Sequence, residues 1–186
     1  MTSFKYMGEF KGESSLPTRV QKGAVMFKEP DAEKFAIIAN ILSVVLLVLF
    51  LLLTFFYAGR HYNTWGAVVA FLLLVPHEFL HAIWMKGKVY MYTNWKKMML
   101  FVTSTEDITK GRFIWMSLFP TLCFGFVPFG GFIINPDWIF LGYLGAFSIA
   151  MGAGDYCNIF LALTQMPKGS VTFLSGTHSY WYVPEK

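Results

Sequence analysis

Charge is scarce in this sequence. Only 14% of its 186 residues are Asp, Glu, Lys or Arg, where ordinary soluble domains carry about 25%. With 55% hydrophobic residues and 20 Phe, the chain cannot hide all its apolar surface inside a small globule. The excess must face something other than water. Cysteine is sparse too. Cys123 and Cys157 both sit in apolar segments, which argues against a disulfide framework and for two inert buried thiols. No internal repeat and no low-complexity tract is visible. A secretory signal peptide is not expected either. The first 34 residues are polar and charged, and the apolar run after them is too long for a signal-peptide core. That run reads as a membrane anchor that stays.

What is present is a set of long apolar segments. A helix needs about 20 apolar residues to cross a bilayer core, and four segments qualify: 35–57, 64–85, 113–134 and 138–165. The expected architecture is an all-α polytopic membrane protein. It has four transmembrane helices and a small cytoplasmic β-hairpin between the second and third. Residues 1–34 form a cytoplasmic N-terminal segment, 35–165 a four-helix membrane domain and 166–186 a cytoplasmic tail. The hairpin is read from the β-formers of Lys88–Thr93 and Met98–Thr103, with 94–97 between them. The third span, with Pro120, Pro128, Gly130 and Gly131, is expected to be broken, and so a candidate gate.

The positive charges support this topology. Six of the 15 Lys and Arg precede the first span, six lie between the second and third, and two follow the fourth. Only Arg60 lies elsewhere. So 14 of 15 fall on one side if both termini share it, and by the positive-inside rule that side is the cytoplasm. The net charge of +4 is thereby accounted for without nucleic acid as a partner.

Chemistry concentrates in the second span, at His77-Glu78-Phe79-Leu80-His81. This is H-E-x-x-H, and residues i and i+4 share one helix face, so both imidazoles can reach one Zn²⁺. Zn²⁺ lowers the pKa of a bound water towards about 7, and the Glu can take its proton as the water attacks a peptide carbonyl. With four His and seven Glu in the chain, chance yields the pattern in roughly 0.3% of such sequences. Ionisable residues in a spanning helix are costly and usually functional. The bland alternative is a polar cluster that ties helices together by hydrogen bonds.

Two His leave a catalytic zinc one protein ligand short. Within the spans, the only other acidic residue is Asp155, in the fourth. Gly145, Ser148, Gly152 and Asp155 share one helix face, and such small residues allow the close approach Asp155 needs. At 1.5 Å per residue, His77 lies about 12 Å and Asp155 about 15 Å from the cytoplasmic ends of their spans. Asp155 could instead serve only a helix–helix bond. Asn158, one turn on, could support a ligand, hold an oxyanion, or tie helices together. Pro76 could kink the second span or be a tolerated membrane proline. His178 is expected at the surface, with folding back as a ligand the alternative; Glu106 and Asp107 are expected to be solvated, and Cys157 points away from Asp155.

A membrane-embedded H-E-x-x-H followed two spans later by an Asp is similar to the site-two protease class. More closely, the chain resembles the putative zincin peptidase family of small prokaryotic membrane proteins. The likeness rests on His77-Glu78-x-x-His81, Leu118-Phe119-Pro120 and Gly154-Asp155-x-x-Asn158. It implies His77, His81 and Asp155 as Zn²⁺ ligands, Glu78 as catalytic acid/base and a prokaryotic cell membrane as location. The chain departs from the site-two pattern around the third ligand, since its one Asn-Pro-Asp, at 135–137, falls in the external connection. The expected function is a zinc-dependent intramembrane endopeptidase acting on membrane-embedded or membrane-proximal protein or peptide substrates, with Asn158 as a candidate catalytic residue beside Glu78. Two rivals remain. One is a metal-binding or transport protein using the same His and Asp, for which four spans without repeats are few. The other is a catalytically silent membrane scaffold.

Overall fold

A computed structural model describes residues 3–94 and 99–185. In chain order the elements are β1 (Ser3–Glu9), β2 (Val25–Met26), α1 (Ala32–Tyr57), α2 (Thr64–Leu72), α3 (Leu74–Ile83), β3 (Lys88–Asn94), β4 (Met99–Thr103), β5 (Ile108–Thr109), α4 (Lys110–Thr121), α5 (Val127–Ile134), α6 (Ile139–Met151), α7 (Ala153–Gln165), β6 (Val171–Ser175) and β7 (His178–Tyr182). A π-helical turn, Leu122–Phe126, joins α4 to α5. The chain falls into two compact units. One comprises Met1–Glu29, Glu78–Met116 and Asn158–Lys186, the other Pro30–His77 and Ser117–Cys157.

The helices of the second unit follow from uninterrupted apolar sequence. α1 runs for 26 residues without Gly or Pro, about 39 Å of helix, long enough for a bilayer core of about 30 Å. Its N-terminus is capped by Asp31, whose carboxylate accepts from the Lys34 amide at 2.9 Å. The hydrogen bond from the Lys34 side chain holds that carboxyl below the usual range. Ile41, Val44, Val48 and Leu52 on α1 are each about half exposed or more, an apolar surface that water does not suit. The core gathers Ala58, Phe129, Phe132 and Ile149, with Phe50 packed edge-on to Phe129.

Among the described residues, two helices are long and apolar enough to cross a membrane, 33–57 and 110–134. Two bent pairs pass the same test as pairs, α2 with α3 at 44° and α6 with α7 at 50°. The bends have local causes. Pro76 brings no N–H to the carbonyl of Leu72, and its ring crowds that carbonyl, so α2 ends at Leu72 and the chain turns at Leu73. The second bend lies at Gly152, where a Cβ would stand 2.2 Å from Thr121 Oγ1. There the Ile149 carbonyl accepts from the Gly152 amide at 3.3 Å and from the Tyr156 hydroxyl at 3.0 Å.

Two expectations are corrected. The third span is not broken. It runs as one helix of 25 residues, in which the π turn takes up the mismatch between Pro120 and Pro128, and the breaks lie in the second and fourth spans instead. The fold is also not purely all-α, because the first unit carries two sheets. One has the order β1-β3-β4, with β1 parallel and β4 antiparallel to β3. The other has the order β2-β7-β6-β5. The expected hairpin is present as β3 and β4, Tyr90 opposite Thr103 and Thr93 opposite Leu100. Residues 95–98, which include most of its expected turn and the start of its second strand, lie outside the described residues. Of the strands missed from the sequence, β2 and β5 are two residues long and β1 pairs with a distant segment, whereas β6 and β7 form a hairpin of five-residue strands about Gly176-Thr177. Ala82, Met85, Val89, Ile108 and Met116 form one core of this unit, and Phe27, Ala162 and Met166 another.

Candidate metal centre

All three residues of the H-E-x-x-H motif lie on α3, in the turns that follow the bend. One ligand atom from each of His77, Glu78 and His81 lies within 4.8 Å of the other two. This is the outcome of helical spacing: i and i+4 stack on one face and i+1 stands beside them.

His81 is buried, and its Nδ1 stands 2.9 Å from the carbonyl oxygen of Met116 on α4. A carbonyl only accepts, so Nδ1 carries the proton and Nε2 keeps a lone pair for a metal. The acceptor has an identifiable origin. In an α-helix the Met116 carbonyl would receive the N–H of residue 120, and residue 120 is proline, which has none. Pro120, expected from the sequence to help break a span, leaves a carbonyl for the histidine to use. Hydrogen bonds of this kind fix the tautomer and ring orientation of metal-ligating histidines.

His77 Nε2 stands 3.1 Å from Asp155 Oδ2, both side chains largely buried. Two atoms bound to one tetrahedral ion at about 2.0–2.1 Å lie about 3.3 Å apart. The pair thus has the separation of two ligands on a shared ion, and equally that of a hydrogen bond. Asp155 is not among the group of three on α3; its tie is to His77. Imidazole nitrogens and carboxylate oxygens in partly buried positions suit Zn²⁺ and several other divalent ions, so the donor set fits the metal the motif implies.

Asn158 is half-buried on α7. Cys123 and Cys157 are free thiols. His178 Nδ1 stands 3.4 Å from Glu29 Oε1, which also accepts from the Ser179 amide at 3.0 Å.

Three residues have a supporting role that the sequence reading does not assign to them. Glu106 was expected to be solvated; instead its two oxygens accept from the Lys86 amide at 2.8 Å each, and Arg112 pairs with it. It thereby anchors the chain just after α3. Asp107 likewise pairs with Arg19 at 2.8 Å and accepts from Tyr182 at 3.0 Å. The hydrogen bond with Asp107 pushes the Arg19 pKa up. Gly66 on α2 is the third, since a Cβ there would stand 2.7 Å from the Leu144 amide nitrogen and 2.9 Å from the Phe140 carbonyl. The small residues of α6 do bring helices close, but Gly142 meets Phe132 and Thr54, and Gly145 meets Phe129. It is Gly66 that lets α2 approach α6. A small residue on an apolar helix face was the available signal; Glu106 offered none.

No curated protein and no solved structure matches the chain. A family model described as "putative zincin peptidase" matches residues 70–171, which take in α3 with its H-E-x-x-H, Pro120 and Asp155. That stretch is more than half of the 186 residues, and the chain belongs to this family.

Proposed function

We propose that the protein is a zinc-dependent endopeptidase that works inside a membrane, with His77, His81 and Asp155 holding the metal and Glu78 acting as general base and acid. The observation that carries this reading is the constellation on α3: two imidazoles and a carboxylate within 4.8 Å, with the His81 tautomer set by the Met116 carbonyl. Each bent helix pair is read as one span, giving four. α2 and α3 together reach about 28 Å, close to the thickness of a bilayer core. The positive charges then place both termini in the cytoplasm.

Zn²⁺ held there supplies a Lewis acid that acidifies water and polarises a peptide carbonyl. Glu78 takes a proton from the attacking water and returns it to the amine nitrogen as the C–N bond breaks. Asn158, one turn beyond Asp155 in sequence, is the candidate to hydrogen-bond a ligand or the developing oxyanion. Substrates are membrane segments, or residues near the cytoplasmic interface, in locally unwound form, because a helical peptide bond is closed off by its own hydrogen bonds.

The test is zinc content by mass spectrometry together with cleavage of a reconstituted library of membrane peptides. Wild type is expected to hold about one zinc per chain. His77→Ala and Asp155→Ala should lose it, and Glu78→Gln should keep it while cleavage falls by about 10²–10⁴. If Asp155 only orients His77, its variant retains zinc with about 10–100-fold weaker affinity. A Glu78→Gln protein that cleaves as well as wild type would overturn the peptidase reading and favour a metal-binding or transport role.

A further inference from the structure

Ser148, on α6, is 95% buried, and its hydroxyl has no hydrogen-bond partner among the described residues. Leaving a buried hydroxyl unpaired is destabilising, because it loses water's hydrogen bonds and gains none. A serine or threonine within a helix has an easy remedy, the carbonyl four residues back. Thr54 uses it, bonding the Phe50 carbonyl at 2.8 Å, and Thr164 uses it on Phe160 at 2.7 Å. Ser148 does not. Its side chain instead lines a small pocket whose centre has room for about one water molecule.

The position of that pocket is informative. Its walls are Leu73 at the first helix bend, Phe124 in the π turn, Met151 just before the second bend, and His77. The walls thus come from residues at or beside both bends and from the π turn. Apart from His77 and Ser148, the lining is apolar. A buried water persists where polar groups can hold it, and here a hydroxyl with spare capacity faces the same small space as an imidazole.

We propose that this pocket is a water-binding site, in which one water molecule is held by Ser148 Oγ beside His77. The water satisfies the serine hydroxyl at a depth where lipid cannot. The three irregularities in the helices make the room for it. On the peptidase reading, on which this part rests, the site stores water next to the motif that consumes it, and Ser148 is a positioning residue.

The experiment is X-ray hydroxyl-radical footprinting of the full chain in lipid nanodiscs, with methionine oxidation followed by mass spectrometry. A water held in the pocket generates radical beside Met151, whose thioether is an easily oxidised reporter. In wild type, Met151 is expected to oxidise rapidly. Ser148→Ala should slow this about fivefold or more by removing the water's anchor, and Ala70→Val should do the same by filling the pocket from the opposite wall. Buried Met116 reports folding, and its oxidation should not change in a folded variant. Met151 that stays unoxidised in wild type would overturn the proposal. So would oxidation equal to wild type in both variants. Zinc content and cleavage are read on the same preparations, where Ser148→Ala should lower kcat with zinc retained. A wild type with no zinc but rapid Met151 oxidation sinks the peptidase reading and leaves the water site standing.

Discussion

The chemistry at single residues depends on which groups are denied their usual partners. Pro120 withholds an N–H from the Met116 carbonyl, and His81 Nδ1 takes the place at 2.9 Å. Pro120→Ala returns a competing donor four residues along the helix. The expected outcome is a metal site weakened about 10–100-fold, the range for lost partners of metal-ligating histidines. Chelator competition measures this, and the Nδ1–H signal of His81 in nitrogen-15 NMR should shift or broaden. Unchanged affinity with an unchanged signal would show that the proline is packing only. Glu106 makes the opposite point, since it is fully engaged. Glu106→Ala strands Arg112 and the Lys86 amide, at a cost of about 3 kcal/mol. Glu106→Gln keeps an acceptor for the amide and should cost about 1 kcal/mol. Denaturant titration in mild detergent separates the two, and equal stabilities would mean the carboxylate is solvated after all.

Between helices, contact is set by how close neighbouring elements come at glycines, and two of these approaches make a direct comparison. Gly66→Ala drives a methyl into the Leu144 and Phe140 backbone, which cannot give way, so about 1–3 kcal/mol of stability should be lost. Gly152→Ala meets mainly one side chain, with Thr121 Oγ1 at 2.2 Å and the remaining Thr121 atoms at 3.2 Å or beyond. Thr121→Ala in the same chain should therefore recover most of the loss, while it should leave Gly66→Ala unrescued. Thermal unfolding of the four variants checks this, and a double variant no better than Gly152→Ala alone would refute the contact. These positions also show what could be read from the sequence. The apolar lengths and the i, i+4 spacing of His77 and His81 are properties of a single helix, so they were legible at once. The hairpin was legible for the same reason, because its strands are adjacent in the chain. Gly66 against α6, β1 beside β3 and Glu106 on Lys86 join parts far apart in sequence, and one chain carries no record of such pairings. The prolines were legible as breakers but not as to place. Pro76 bends its helix three residues upstream, while the helix carrying Pro120 and Pro128 accommodates both with a π turn.

For the molecule as a whole, the decisive property is which segments lie on which side of the membrane, and here charge and helix length must agree. Four crossings put 58–63 and 135–138 on one side, and both termini with the β3–β4 region on the other. Helix length and composition alone would also permit two crossings, with the bent pairs entering and leaving on one side, but that would part β1 from β3, which pair in one sheet. Charge points the same way. Two crossings by α1 and by 110–134 put the β3–β4 region and its lysines on the far side from the N-terminal ones, and the positive-inside rule disfavours that split. Single cysteines in a Cys123→Ser, Cys157→Ser background decide it. In intact cells an impermeant maleimide should label Tyr62→Cys, at an exposed position, and should reach Lys22→Cys and Thr105→Cys only after the membrane is opened. Thr105→Cys labelled from outside would mean that α2 and α3 do not cross. The His and Glu of α3 would then sit on a re-entrant element, open to water and to soluble peptides, and the activity to look for would be peptide hydrolysis at a membrane surface. Labelling as expected leaves the motif inside a spanning helix, where water is limiting and a residue that stores it matters.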